Sequence, residues 1–256
     1  MPANRPYNLL ARFYDRLMPV AEMNRHARQR TIGRLLPRLT AACDLGCGSG
    51  ETALDLARRG LRVFAVDNSP AFCRIVRTKA RRHRLPIRVL CADMRRFRLP
   101  RPVDLVTCEF AALNHVPRKT DLGLVCRAVA RALNPGGWFF FDINTPKAFA
   151  EQTPSGHWIV GRNFKLVMHG SWDARRSLGP LDFEWFTPRG RLWKHAHERV
   201  NHIAWGDAEI RSALRRAGFR RLRVWDGVDV RPRMPGARRG YDTYYLAQKP
   251  SQGSQR

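Results

Sequence analysis

Thr40 to Gly60 reads TAACDLGCGSGETALDLARRG: a short apolar run, glycines at alternate positions (Gly46, Gly48 and Gly50), then a helical pattern. A strand that runs through a glycine-rich turn into a helix lets the backbone approach a nucleotide-like ligand, and the helix N-terminus adds unpaired N–H groups. Neither common phosphate-binding pattern fits. A dinucleotide fingerprint wants glycine where Glu51 stands, and a Walker loop needs a Gly-Lys-Ser/Thr that does not follow. Asp44 opens the turn, and a carboxylate beside two phosphates would be repelled, so the loop suits a ligand with a positively charged end.

Outward from this loop, short runs rich in Val, Ile, Leu and Phe alternate with helical patterns: LRVFAVD, SPAFCRIVRTKARRHR, IRVLCAD, DLVTCEF, TDLGLVCRAVARALN and GGWFFFDIN. Strands alternating with helices imply crossover units and a buried, mostly parallel sheet, so the expected fold class is α/β, doubly wound. Ser69-Pro70 has the cap and first-turn proline of a helix start, and Asn134-Pro135-Gly136-Gly137 is read as a helix stop that turns into the next strand. From about Ser155 to Trp205 aromatics and alternating polarity around Pro188-Arg189-Gly190 predict antiparallel ribbons inserted into this pattern. GDAEIRSALRRAGF then predicts a helix, RRLRVWDG and YDTYYLAQK two strands, and VDVRPRMPGARRG an exposed loop.

With 256 residues, 44% apolar content and no repeats, the chain is expected to be a single domain with elaborations. Its expected parts are an N-terminal helical cap (1–36), a ligand-binding core (37–150), the antiparallel insertion (155–205), a C-terminal helix with two strands (206–249) and a disordered tail (250–256). No stretch reaches ~18 apolar residues and the charged N-terminus is unlike a secretory signal, which predicts a soluble, cytoplasmic protein away from membranes. The six cysteines lie outside paired CxxC spacing, which argues against zinc and disulfides and predicts buried thiols. A net charge of +26 invites a nucleic-acid reading. Only 6 of 47 basic residues are lysine, however, and the arginines are spread along the whole chain, as in a compositional habit rather than one binding stripe. Nucleic acid is therefore not the expected substrate.

The segment DLGCGSG resembles the first motif of the class I S-adenosylmethionine-dependent methyltransferases, and further motifs follow in order. VFAVDNS puts Asp67 and Asn68 after the second strand, where the resemblance implies a carboxylate on the ribose hydroxyls; two acceptor oxygens match the two donors of a vicinal diol. VLCADMRRF ends in Asp93 and Met94, which the resemblance assigns to the adenine amino group and ring, and VDLVTCEFAALNHV resembles the fourth motif. The family's cofactor is S-adenosylmethionine, and the implied fold is a seven-stranded Rossmann-like sheet with a helical cap and an antiparallel lid. Asp44, Gly46, Cys47, Gly48 and Gly50 are expected to seat the methionine end, with Glu109 beside its amino group.

The Asn/Asp-Pro-Pro-Tyr/Phe of base and glutamine modifiers and the Pro-Cys of cytosine-C5 enzymes are both missing after the fourth strand, which makes those amino groups poor acceptors. The leading helix and the aromatic insertion resemble those of the family's small-molecule members, which implies a small-molecule O or N acceptor; an RNA methyltransferase and a non-catalytic S-adenosylmethionine-binding protein of the same fold are the alternatives. His115 is a candidate general base, and Tyr14, with Tyr7, a candidate site residue on the leading helix. Trp158, Phe164, Trp172, Phe183, Trp185, Trp193, His195 and His197 are candidates to line an acceptor pocket, half of them serving packing alone. A monomer or homodimer is expected, and no metal.

Overall fold

The structure is a computed structural model that describes residues 7–17, 20–152, 156–232 and 236–251. The expected tail from 252 onward, the first position of the insertion and residues 233–235 of the loop after Arg231 lie outside the described residues.

One sheet carries the glycine loop. Its strands are β1 (Ala41–Leu45), β2 (Arg62–Asp67), β3 (Ile87–Cys91), β4 (Val103–Cys108), β5 (Leu133–Asn144), β10 (Arg220–Asp226) and β11 (Asp242–Gln248). They lie in the order β3-β2-β1-β4-β5-β11-β10, parallel from β3 to β5 and antiparallel at β11 and β10. The sequence turns back on itself at β1, where order reverses from β1-β2-β3 to β1-β4-β5, and in such sheets ligands bind outside the carboxyl ends of the strands flanking that point. β1 is buried along its whole length, as a central strand covered on both faces must be. The covering helices are α2 (Val20–Ile32), α3 (Glu51–Arg58), α4 (Pro70–Arg82), α5 (Leu122–Ala132) and α6 (Asp207–Arg216).

A second sheet, β6 (His157–Gly161), β7 (Phe164–Gly170), β8 (Leu178–Arg189) and β9 (Leu192–Ile203), is antiparallel throughout, as the alternating aromatics predict. Helix α1 (Asn8–Leu17) packs on its inner face, where Phe13 lies 4.5 Å from Phe164 and 5.4 Å from Trp185 between ring centroids. The buried Glu198 carboxylate on β9 accepts the backbone N–H of Leu9 (2.9 Å) and Leu10 (3.1 Å) and the Trp185 indole N–H (3.1 Å). An anion at free amides of a helix N-terminus satisfies donors that the helix itself cannot.

Two expectations are corrected. Asn134-Pro135-Gly136-Gly137 lies inside β5, which begins at Leu133: register jumps from Val103–Leu133 to Leu105–Trp138, and Gly136 at φ +79° absorbs the extra residues as a bulge. Five of the six free thiols are buried as expected, but Cys91 at the end of edge strand β3 is exposed.

Candidate active site

A cavity of about 280 Å³ opens at the carboxyl ends of β1, β2 and β4, between them and the α1–antiparallel-sheet layer. Gly46, Gly48 and Gly50 all have positive φ, and a Cβ on Gly46 would sit 2.8 Å from that of Ala112. The turn can therefore approach its neighbour only as glycine. The amides of Gly46 and Cys47 donate to the Val66 carbonyl (2.8 and 3.1 Å), and that of Gly48 to Asp67 Oδ2 (2.9 Å). Ser69 N–H donates to the other Asp67 oxygen at 2.8 Å, so each oxygen keeps acceptor capacity at the cavity wall. Burial raises the Asp67 pKa despite these amides.

Asp44 is nearly inaccessible and serves the fold as well as the wall: Oδ2 accepts Ala53 N–H (3.0 Å) and Oδ1 the Thr107 hydroxyl (3.1 Å). Burial pushes its pKa up to about 6. Behind it Arg28 on α2 forms a buried ion pair with Glu109, donates to Thr52 Oγ1 (3.0 Å) and reaches Asp55 at 2.9 Å. Burial pushes Glu109 to about 8; Arg28 only partly offsets it, and Asp44 and Asp142 add to the rise. Burial opposes the Arg28 charge too, but Glu109 and Asp55 more than restore it.

Two cavity-lining residues, Asn24 and Glu109, each keep a buried oxygen without a hydrogen-bond partner among the described residues. An orphaned buried acceptor is costly until a donor arrives, so this end fits a ligand bearing an ammonium group. Around the corner Asp93 and Met94 line the wall. Arg95 forks both Asp93 oxygens (3.0, 3.0 and 2.6 Å) and reaches Asp121 at 2.8 Å, holding the Asp93 carboxyl below the usual carboxylate range.

At the other end Tyr7 OH lies 2.5 Å from His115 Nδ1, Tyr14 and Tyr7 pack on Phe72, and His202 stands 4.4 Å from His115 between ring centroids. Burial pushes the pKa of His115 well down, with His202 adding to the effect. Burial lowers His202 to about 4. Both tyrosines are raised, again by burial first.

Tyr14, Asp44, Gly46, Cys47, Gly48, Asp67, Asn68, Asp93, Met94, Glu109 and His115 thus share one cavity wall. Gly50 does not line it; it caps α3 at φ +87°, where a Cβ would meet Val76 Cγ2 at 2.8 Å. Of the eight aromatic candidates of the insertion only Phe183 lines the cavity. Trp158 (79% exposed), Trp193, His195 and His197 lie away from it, Phe164 and Trp185 pack beneath α1, and Trp172 stacks on Phe149. Strand alternation is the reason: the face of Phe183 and Trp185 pairs with Ala196, Glu198, Val200 and His202, which leaves His195 and His197 on the reverse side. Sequence reasoning missed Asn24, Arg28 and His202. The first two sit four residues apart on one face of α2, and the third follows from counting by twos along β9.

Residues 42–137 match the methyltransferase-domain family. A ubiquinone biosynthesis O-methyltransferase of Xanthomonas axonopodis pv. citri is 31% identical over 168 residues, covering 64% of this chain and 67% of that one. The chain belongs to the class I S-adenosylmethionine-dependent methyltransferases. For this methyltransferase the fold likeness extends further: an S-adenosylmethionine-dependent methyltransferase from Clostridium acetobutylicum superposes with a TM-score of 0.80 at 22% identity, covering 96% of this chain and 99% of that one. The sugar N-methyltransferase KedS8 from a Streptoalloteichus species gives 0.71 at 21%, covering 96% and 93%. Among the described residues of the methyltransferase no helix is long and apolar enough to cross a membrane.

Proposed function

We propose that this methyltransferase moves a methyl group to an oxygen or nitrogen of a small molecule by in-line displacement. The observation that carries the reading is the enclosure of the cavity's far end, where Tyr7 and Leu10 from the α1 segment meet Leu181, Phe183 and Val200 of the antiparallel sheet. An apolar wall with a few convergent polar groups suits a small acceptor, and a roof of this kind keeps a polymer out. The relatives' names give oxygen in one case and nitrogen in another, so both atoms belong to the proposal.

S-adenosylmethionine, when bound, supplies an activated methyl group on a sulfonium. The chain's own residues would bind and orient it: the unpaired oxygens of Glu109 and Asn24 would receive the ammonium, Asp67 the ribose hydroxyls, and Asp93 with Met94 the adenine. Alignment of the acceptor does the rest, because an activated donor needs position more than force. A reducing compartment, the cytoplasm, suits the six free thiols, and a monomer or homodimer suffices for a cavity formed within one chain.

Label transfer from methyl-labelled S-adenosylmethionine to a panel of phenols, hydroxylated metabolites and amines, with RNA and protein fractions alongside, tests the reading. Label in small molecules is expected. Label confined to RNA or protein would overturn it.

A further inference from the structure

The far end of the cavity contains two imidazoles that no carboxylate partners among the described residues, His115 and His202. Their hydrogen bonds differ in kind. His202 Nδ1 lies 3.1 Å from the Gly179 carbonyl oxygen, which can only accept, so Nδ1 carries the ring proton and Nε2 keeps its lone pair. His115 Nδ1 is occupied by the Tyr7 hydroxyl.

The position of His202 is fixed from both sides. It sits one residue before the end of β9, on the face of Val200 and Glu198 that looks into the cavity. The fully buried Asn114 clamps that strand end to the sheet: its Nδ2 donates to the Ile203 carbonyl (2.8 Å) and the Asn144 carbonyl (3.0 Å), and its Oδ1 accepts Asn144 N–H (2.9 Å). Rings of His115 and Phe149 flank the imidazole at 4.4 and 5.6 Å. A group locked in one rotamer and one tautomer by packing and by its neighbours is what proton transfer needs.

We propose that His202 is a catalytic residue of this methyltransferase, its Nε2 taking the proton that a hydroxyl or amine acceptor sheds, with Tyr7 and His115 as positioning residues. The proposal rests on the small-molecule reading given above. In the step an acceptor lone pair forms the new bond to the methyl carbon while the sulfur–methyl bond breaks with its pair left on sulfur. The acceptor's O–H or N–H pair stays on the acceptor atom, and the proton passes to the Nε2 lone pair and then to solvent. A neutral imidazole suits an uncharged acceptor, whose proton turns strongly acidic only as the methyl group arrives.

The test uses the full chain with nitrogen-15 histidine, saturated with S-adenosylhomocysteine. The His202 resonances should show a neutral ring at pH 7 with its proton on Nδ1. With an acceptor identified by methyl label, His202→Asn should lower kcat about 100-fold, the size of a general-base contribution, and leave KM for S-adenosylmethionine within about twofold. Asparagine keeps an N–H for the Gly179 carbonyl and offers no base, so a structural role predicts near-normal kcat in this variant. Unchanged S-adenosylhomocysteine affinity and melting midpoint certify its fold. A proton found on Nε2, or a kcat for His202→Asn within threefold of the parent, overturns the proposal. Label found only on macromolecules overturns the small-molecule reading instead, and kcat on that acceptor still judges His202.

Discussion

Arg28 and Glu109 meet as a buried ion pair beneath the Asn24 end of the cavity, one from α2 and the other from the end of β4. Arg28 is 2% exposed and also holds Asp55 and Thr52. Removing one partner of a buried pair leaves the other uncompensated. At pH 9, above the Glu109 transition, Arg28→Met should therefore cost about 3–5 kcal/mol of stability by urea unfolding. A loss below about 1 kcal/mol would show that the pair is not the keystone of this layer.

Glu109 gives a pH signature. Its folded pKa, about 8, lies above the 4.5 of an ordinary glutamate, so the fold favours the acid form. That contribution to stability is complete below about pH 4.5 and is lost as pH rises to about 8; Glu109→Gln should flatten this part of the stability curve. An arriving ammonium favours the carboxylate, so S-adenosylhomocysteine binding at pH 7 should release a proton. Binding heats that vary with buffer ionisation enthalpy in the parent and not in Glu109→Gln are expected; heats independent of buffer in the parent count against the assignment.

Asp67 accepts two backbone amides and offers two further acceptor positions to a diol. Asp67→Ala should weaken S-adenosylhomocysteine binding by roughly 1.5–3 kcal/mol, about 10- to 150-fold. Calorimetry that finds the affinity unchanged takes Asp67 out of the site.

Glu198 ties α1 to the antiparallel sheet through two N–H groups, those of Leu9 and Leu10, and accepts the Trp185 indole N–H from within the sheet. Glu198→Leu leaves these donors buried and unsatisfied at about 1–3 kcal/mol each. Hydrogen exchange at Leu9 and Leu10 should accelerate at least tenfold relative to amides of β1. Equal protection in parent and variant would mean that packing of Phe13 alone holds the helix.

The strand and helix pattern was legible because the parallel strands are buried runs and the glycine loop has few physical explanations. Asp44, Asp67, Asp93 and Glu109 could be placed on one wall because the carboxyl ends of β1 to β4 converge by topology. Arg28 was not legible: its partners stand 24, 27 and 81 positions away, and nothing local marks a buried arginine in a chain so rich in them. The aromatics of the insertion misled for a related reason. Composition signals an apolar wall, but only register tells which side of a strand faces it, and His195 and His197, named from the sequence, fell on the outer one. Nor does a sequence show that Arg95 already engages the Asp93 carboxylate.

The clasp between Glu198 and the first turn of α1 joins positions 189 and 188 residues apart. On the ribosome α1 emerges before its docking face, with all five parallel strands between them, so the helix waits through their synthesis before it can dock. Contacts of such separation form late, after local ones have reduced the loop to be closed. The nascent chain thus builds the glycine loop and its parallel strands before it can close the far end of the cavity.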